Sequence, residues 1–234
     1  DWSSDVCSSD LAGVAYCWGN GLRGQLGNGA TVTSSYPVAV GGGLAFASLS
    51  PNVRGDHSCG VTSGGQAYCW GANNGGQLGD STLTNRSTPV LVKGNRTWSR
   101  ISTGVTHTCG LTTGGVLYCW GWGQFGQLGD STVGAVAATP VAVKMPTGTT
   151  VTAFSTGANS TCAITNSGDV YCWGFGGPSN GNGTSDQKVV PTKVLNITGA
   201  TQISMGTTHA CALVTGGAAY CWGGGGPLGD GTPG

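Results

Sequence analysis

The chain is 234 residues long, with nine Lys and Arg against nine Asp and Glu, so it has no formal net charge, and only 8% of its residues are charged. That balance excludes the strongly basic surface that nucleic-acid binding needs, and no apolar run is long enough to cross a membrane as a helix. Gly is the commonest residue, with 46 copies, and Glu does not occur, which leaves little room for helix.

Residues 1 to 11, Asp-Trp-Ser-Ser-Asp-Val-Cys-Ser-Ser-Asp-Leu, match no other part of the chain. They resemble an in-frame translation of a sequencing-library adapter, and we expect native protein to begin near Ala12. Without Asp1, Asp5 and Asp10 the nine acids become six against nine Lys and Arg, which makes the remainder about +3. Cys7 lies ten residues before Cys17, a spacing that recurs along the chain.

From Ala12 onward the chain repeats itself. Tyr-Cys-Trp-Gly begins at Tyr16, Tyr68, Tyr118, Tyr171 and Tyr220, at intervals of 52, 50, 53 and 49 residues. A fixed period of this length marks a repeat architecture. The units run as a part-unit over 12–43, whole units over 44–93, 97–144 and 150–195, and a part-unit over 199–234. Each whole unit offers four short β-prone runs separated by Gly, Asn, Asp, Ser and Pro. Four strands per fifty residues suit one blade of an all-β propeller. From Gly13 the chain supplies about seventeen strands, whereas a seven-bladed ring needs about twenty-eight. The expected fold is therefore an open arc of four to five blades from a seven-bladed ring.

The cysteines set the register inside each unit. Cys59 and Cys69, Cys109 and Cys119, Cys162 and Cys172, and Cys211 and Cys221 each lie ten residues apart across a Gly-rich turn. If Cys109 faces Cys119, Leu111 faces Leu117, and the loop is Thr113-Gly114-Gly115, with Gly able to take the left-handed position. A two-residue loop would put Cys109 opposite Trp120. Opposed residues bring Cα atoms to roughly 4.5–5.5 Å, which permits a disulfide, so one structural bridge per blade is expected. The same register lines one face with Cys109, Leu111, Leu117 and Cys119. It lines the other with Tyr118 and Trp120 opposite Gly110, so both faces suit burial between blades. Paired cysteines belong to oxidising places, which points to an extracellular, periplasmic or cell-surface home. Five N-x-Ser/Thr sequons, at Asn85, Asn95, Asn159, Asn182 and Asn196, matter only in a host that glycosylates them.

Catalysis finds no candidate residues, and neither a metal nor another cofactor is expected. His57, His107 and His209 each precede a hairpin cysteine by two, with Ser160 in that slot of the fourth unit. A residue recurring once per blade is read as a structural hydrogen-bonding group, on blades too far apart to share one metal. Asp80, Asp130 and Asp230 recur where Asp caps a turn. Arg86, Lys93, Arg96 and Arg100 read as a solvated basic rim. The segments after Trp-Gly vary: Asn20 to Arg23, Ala72 to Gly75, Trp122 to Phe125, and Phe175 to Pro178. Variable loops on a constant scaffold are where function sits, and aromatics dominate contact hot spots. Trp122, Phe125 and Phe175 are the candidate binding residues, although filling gaps between blades would equally account for them.

The pattern His-x-Cys-x-Leu, Gly-Gly, Tyr-x-Trp-Gly, Gly-Gln-Leu-Gly, Pro-Val resembles the repeat of the regulator of chromosome condensation superfamily. It is clearest at Gly76-Gln77-Leu78-Gly79 and Gly126-Gln127-Leu128-Gly129. The resemblance implies a seven-bladed propeller of the exported, cysteine-bearing bacterial type. It carries no functional residue over, and the paired cysteines argue against a nuclear nucleotide-exchange factor. One secreted bacterial relative of the fold inhibits β-lactamase, a precedent for tight protein binding. The expected function is a secreted or cell-surface scaffold that binds a protein. A glycan or cell-wall-binding propeller and a secreted enzyme inhibitor are the alternatives. We expect no nucleic-acid partner, no membrane span and a monomer when full length.

Overall fold

A computed structural model describes residues 6–51, 56–224 and 228. Its regular elements are strands, apart from one 3-10 turn at Pro178–Asn180. Blade I holds β1 (Val6–Ser9), β2 (Ala15–Gly19) and β3 (Ser34–Ala39). Blade II holds β4 (Phe46–Ser50), β5 (His57–Thr62), β6 (Ala67–Gly71) and β7 (Arg86–Leu91). Blade III holds β8 (Trp98–Thr103), β9 (His107–Thr112), β10 (Leu117–Gly123) and β11 (Ala135–Ala142). Blade IV holds β12 (Val151–Thr156), β13 (Ser160–Thr165), β14 (Val170–Gly174) and β15 (Lys188–Lys193). Blade V holds β16 (Ala200–Met205), β17 (His209–Val214) and β18 (Ala219–Gly223). In every sheet the spatial order of strands is their chain order, all antiparallel. The first strands of successive blades pack on one another, β1 on β4, β4 on β8, β8 on β12 and β12 on β16. The result is an all-β open arc of blades.

The hairpin register is the one the cysteines imply. Cys109 faces Cys119 and Leu111 faces Leu117. The Thr112 N–H donates to the Val116 carbonyl at 3.0 Å and Gly115 closes the turn onto Thr112, with φ 76° at Gly115. All five blades close their bridge, including Cys7 to Cys17, with Cα atoms 4.1–4.2 Å apart.

The core lies between blades rather than within them. Cys109, Leu111, Leu117 and Leu128 of blade III pack with Val151, Phe154, Ala163 and Trp173 of blade IV. Cys59, Val61 and Leu78 of blade II likewise meet Trp98, Ile101 and Trp120 of blade III. Trp70, Trp120 and Trp173 are among the largest fully buried side chains. Burying an indole removes about 150–250 Å² from water, about 4–6 kcal/mol each at 25 cal/mol/Å².

Candidate functional site

The repeated polar residues form a latch across the joints from blade I to blade IV. The Gln77 carbonyl of blade II accepts the Trp120 indole N–H at 2.9 Å and the Thr108 hydroxyl at 2.8 Å, both from blade III. Gln127 does the same for Trp173 and Thr161, and Gln25 for Trp70 and Ser58. His57 Nε2 lies 2.9 Å from Thr108 Oγ1, and His107 Nε2 lies 3.0 Å from Thr161 Oγ1. Each threonine spends its proton on the Gln carbonyl, so the histidine donates from Nε2 and Nδ1 is left bare. Both Nδ1 atoms are buried without a hydrogen-bond partner among the described residues. Burial pushes both imidazoles down to about 3 from 6.5, with His107 adding to the effect on His57. These rings are therefore neutral structural groups, and no cluster of three or more metal-ligating side chains occurs among the described residues.

The Gly-Gln-Leu-Gly string works with this latch. Its glutamine side chain accepts a backbone N–H two residues upstream, from Arg23, Gly75 or Phe125. Leu26, Leu78 and Leu128 are fully buried. A Cβ at Gly129, whose φ is +68°, would lie 2.6 Å from Trp173 Nε1, so only glycine lets the loop lie against the indole. Sequence reasoning missed this role of the glutamines. Their recurrence beside a recurring Trp and Thr was the available signal.

The acidic and basic residues have local partners. The Asp80 carboxylate accepts bonds from Thr82, Asn73 and Arg86. Burial alone would raise its pKa, but those bonds outweigh it and hold the group below its usual range. Asp130 caps Thr132 in the same way, and Asp230 lies outside the described residues. Arg96 stacks over the Tyr118 ring at 4.1 Å. With Arg86 tied to Asp80, the four basic residues do not act as one patch.

The variable loops after Trp-Gly share one face with the turns after the first strands, as alternate connections of a meander must. At each joint one residue from each blade meets there. Phe125 and Phe175 stack edge to face, with ring centroids 5.0 Å apart, across the joint between blades III and IV. Trp122 stands at the preceding joint, over Gly75 and beside Asn74, Thr106 and Val136. The structure thus brings two of the three candidate aromatics together and sets the third one joint away. Trp122 is 40% exposed and Phe175 51% exposed. Leu22, Val32, Leu83 and Val133 are also exposed on these loops.

The sequence profile of the Regulator of chromosome condensation (RCC1) repeat matches residues 12–60, 64–111 and 114–164, and a second RCC1 profile matches 98–127, 151–184 and 200–226. The chain belongs to the RCC1-repeat family. Human RCC1 domain-containing protein 1 is 30% identical over 169 residues, covering 71% of this chain and 41% of that protein. The Arabidopsis thaliana ultraviolet-B receptor UVR8 is 29% identical over 194 residues, covering 81% and 44%. The chain therefore spans less than half the length of these curated relatives. Among solved structures, human WBSCR16 superposes with a TM-score of 0.84 at 20% identity, over 94% of this chain and 59% of that one. Yeast RCC1 (Prp20) bound to Kap60 gives 0.79 at 23%, over 94% and 54%. This RCC1-like repeat propeller has the architecture of a general protein-interaction scaffold.

Proposed function

We propose that this RCC1-like propeller is an exported scaffold that binds a protein through the face carrying its variable loops. The observation that carries the proposal is the Phe125/Phe175 ridge with Trp122 one joint away, on loops that also expose Leu22, Leu83 and Val133. Exposed aromatics with aliphatic neighbours are the usual anchors of a protein interface. One disulfide in each of blades II to V supports an oxidising, extracellular setting. Catalysis is not part of the proposal, because the polar side chains that recur are engaged in latches and turns.

A photo-crosslinking amino acid placed at Phe125, with the same probe at Val116 on the opposite face as control, tests this in medium from the producing cells. A discrete protein adduct from position 125 alone is expected. Equal adducts from both positions, or none, would overturn the reading.

A further inference from the structure

The departures from the repeat converge at one place. At the joint between blades IV and V the histidine slot holds Ser160, where blades II and III have His57 and His107. The hydroxyl slot opposite Trp222 holds Ala210, where earlier blades have Ser58, Thr108 and Thr161. Gly-Gln-Leu-Gly becomes Pro178-Ser179-Asn180-Gly181, and the Ser179 carbonyl still accepts the Trp222 indole at 3.0 Å. The two surface positions that stack as Phe125 and Phe175 one joint earlier are Gly177 and Gly224 here. The Phe175, Trp122 and Gly224 positions are equivalent because each N–H bonds the matching turn carbonyl, Asn159, Thr106 or Thr208.

Where Ser160, Gly177 and Gly224 replace the imidazole and both surface aromatics lies a groove of about 340 Å³. That is at the lower end of the roughly 300–1,000 Å³ of small-molecule sites. Its wall is the exposed ring of Phe175, and its polar lining includes Asn159, Ser160, Ser179, Thr207 and Thr208. Among the described residues no charged side chain lines it. Ser160, only 4% exposed, makes no latch of the kind His107 makes. A neutral ligand with one apolar face to lie on an aromatic ring, and hydroxyls or amides for an amide and several hydroxyls, is a pyranose unit.

We propose that this groove is a binding site for a neutral sugar residue of an oligosaccharide, bordering the protein-binding ridge and sharing Phe175 with it. The test titrates the intact oxidised chain with N-acetylglucosamine tetramer and with cellotetraose, followed by calorimetry and by Trp222 indole shifts in NMR. Binding of at least one sugar is expected, at roughly millimolar strength or better. Ser160→His with Ala210→Thr restores the latch and puts an imidazole at a position that lines the groove, and should weaken that binding at least about tenfold. Gly224→Trp is a second, surface variant, whose added Cβ meets only Pro178 Cγ at 3.4 Å. It should also block the groove. Val116→Ser, on the opposite face, should leave sugar binding unchanged. A chain that binds neither sugar at about 10 mM, or binds equally after both blocking changes, overturns the site. The crosslink from position 125 would be unaffected, so the two proposals fail separately.

Discussion

The joint between blades III and IV and the joint between blades IV and V use the same strands at the same register and differ in what fills them. At the first, His107, Thr161 and the Gln127 carbonyl form a closed chain beneath a Phe125/Phe175 lid. At the second, the indole bond to Ser179 remains while the imidazole, the hydroxyl and the lid are absent. The indole is therefore what every joint keeps, and the histidine latch is what a joint can lose and still close. Repeat residues hold the arc together, and departures from the repeat create its individual surface.

The largest effect should come from the indoles. Trp120→Ala removes a fully buried ring and one of the two donors to the Gln77 carbonyl, and should cost about 3–5 kcal/mol in denaturant unfolding. Trp222→Ala, at a partly exposed position, should cost distinctly less. Equal losses would remove the distinction between inner and outer joints. Next, His107→Ala should cost about 2–3 kcal/mol, by leaving a cavity and an unpaired Thr161 contact. Ser160→Ala at the hollow joint should stay within about 0.5 kcal/mol. A comparable loss at Ser160 would mean that it bears a latch after all.

Above about pH 4 the latched joints should carry the largest acid effect. Above pH 6.5 His57 and His107 are neutral in both folded and unfolded chains. Below 6.5 the unfolded chain takes up protons that the buried rings refuse until about pH 3. Stability should therefore fall as pH drops from 6.5 towards 3, by up to about 1.4 kcal/mol per pH unit for each histidine. Asp80 and Asp169, both held below 3.8, add to the loss only near and below that value. Replacing both histidines with Gln should flatten the slope between about pH 6 and about pH 4.5 as read by chemical denaturation; an unchanged slope would contradict the assignment. The smallest effect is one of order. Cys211–Cys221, partly exposed, should be reduced and alkylated before the fully buried Cys109–Cys119 and Cys162–Cys172 bridges. Simultaneous reduction would show the outer blade to be as protected as the inner ones.

Much of the fold could be read from the chain because its constraints are local. Ten-residue cysteine spacing and an odd loop leave one hairpin register, so the pairing of Cys109 with Cys119 came from arithmetic. The joints were less legible, because Gln77, His57, Thr108 and Trp120 meet only once blades stack, and a sequence does not say which faces oppose. Phe125 and Phe175, fifty residues apart, read as two separate loop residues and are one stacked pair. Arg96 read as part of a basic rim, yet its guanidinium lies on Tyr118. Ser160 was visible as an exception to the histidine pattern. Its meaning needed Ala210, Gly177 and Gly224 to be brought beside it.

Filling the hollow joint should trade binding for stability. Melting and sugar titration of Ser160→His with Ala210→Thr, beside the unaltered chain, tests this directly. One restored latch is worth about 1 kcal/mol, so the melting temperature should rise by roughly 2–4 °C while the oligosaccharide response disappears. A variant that melts no higher and binds as before would contradict it.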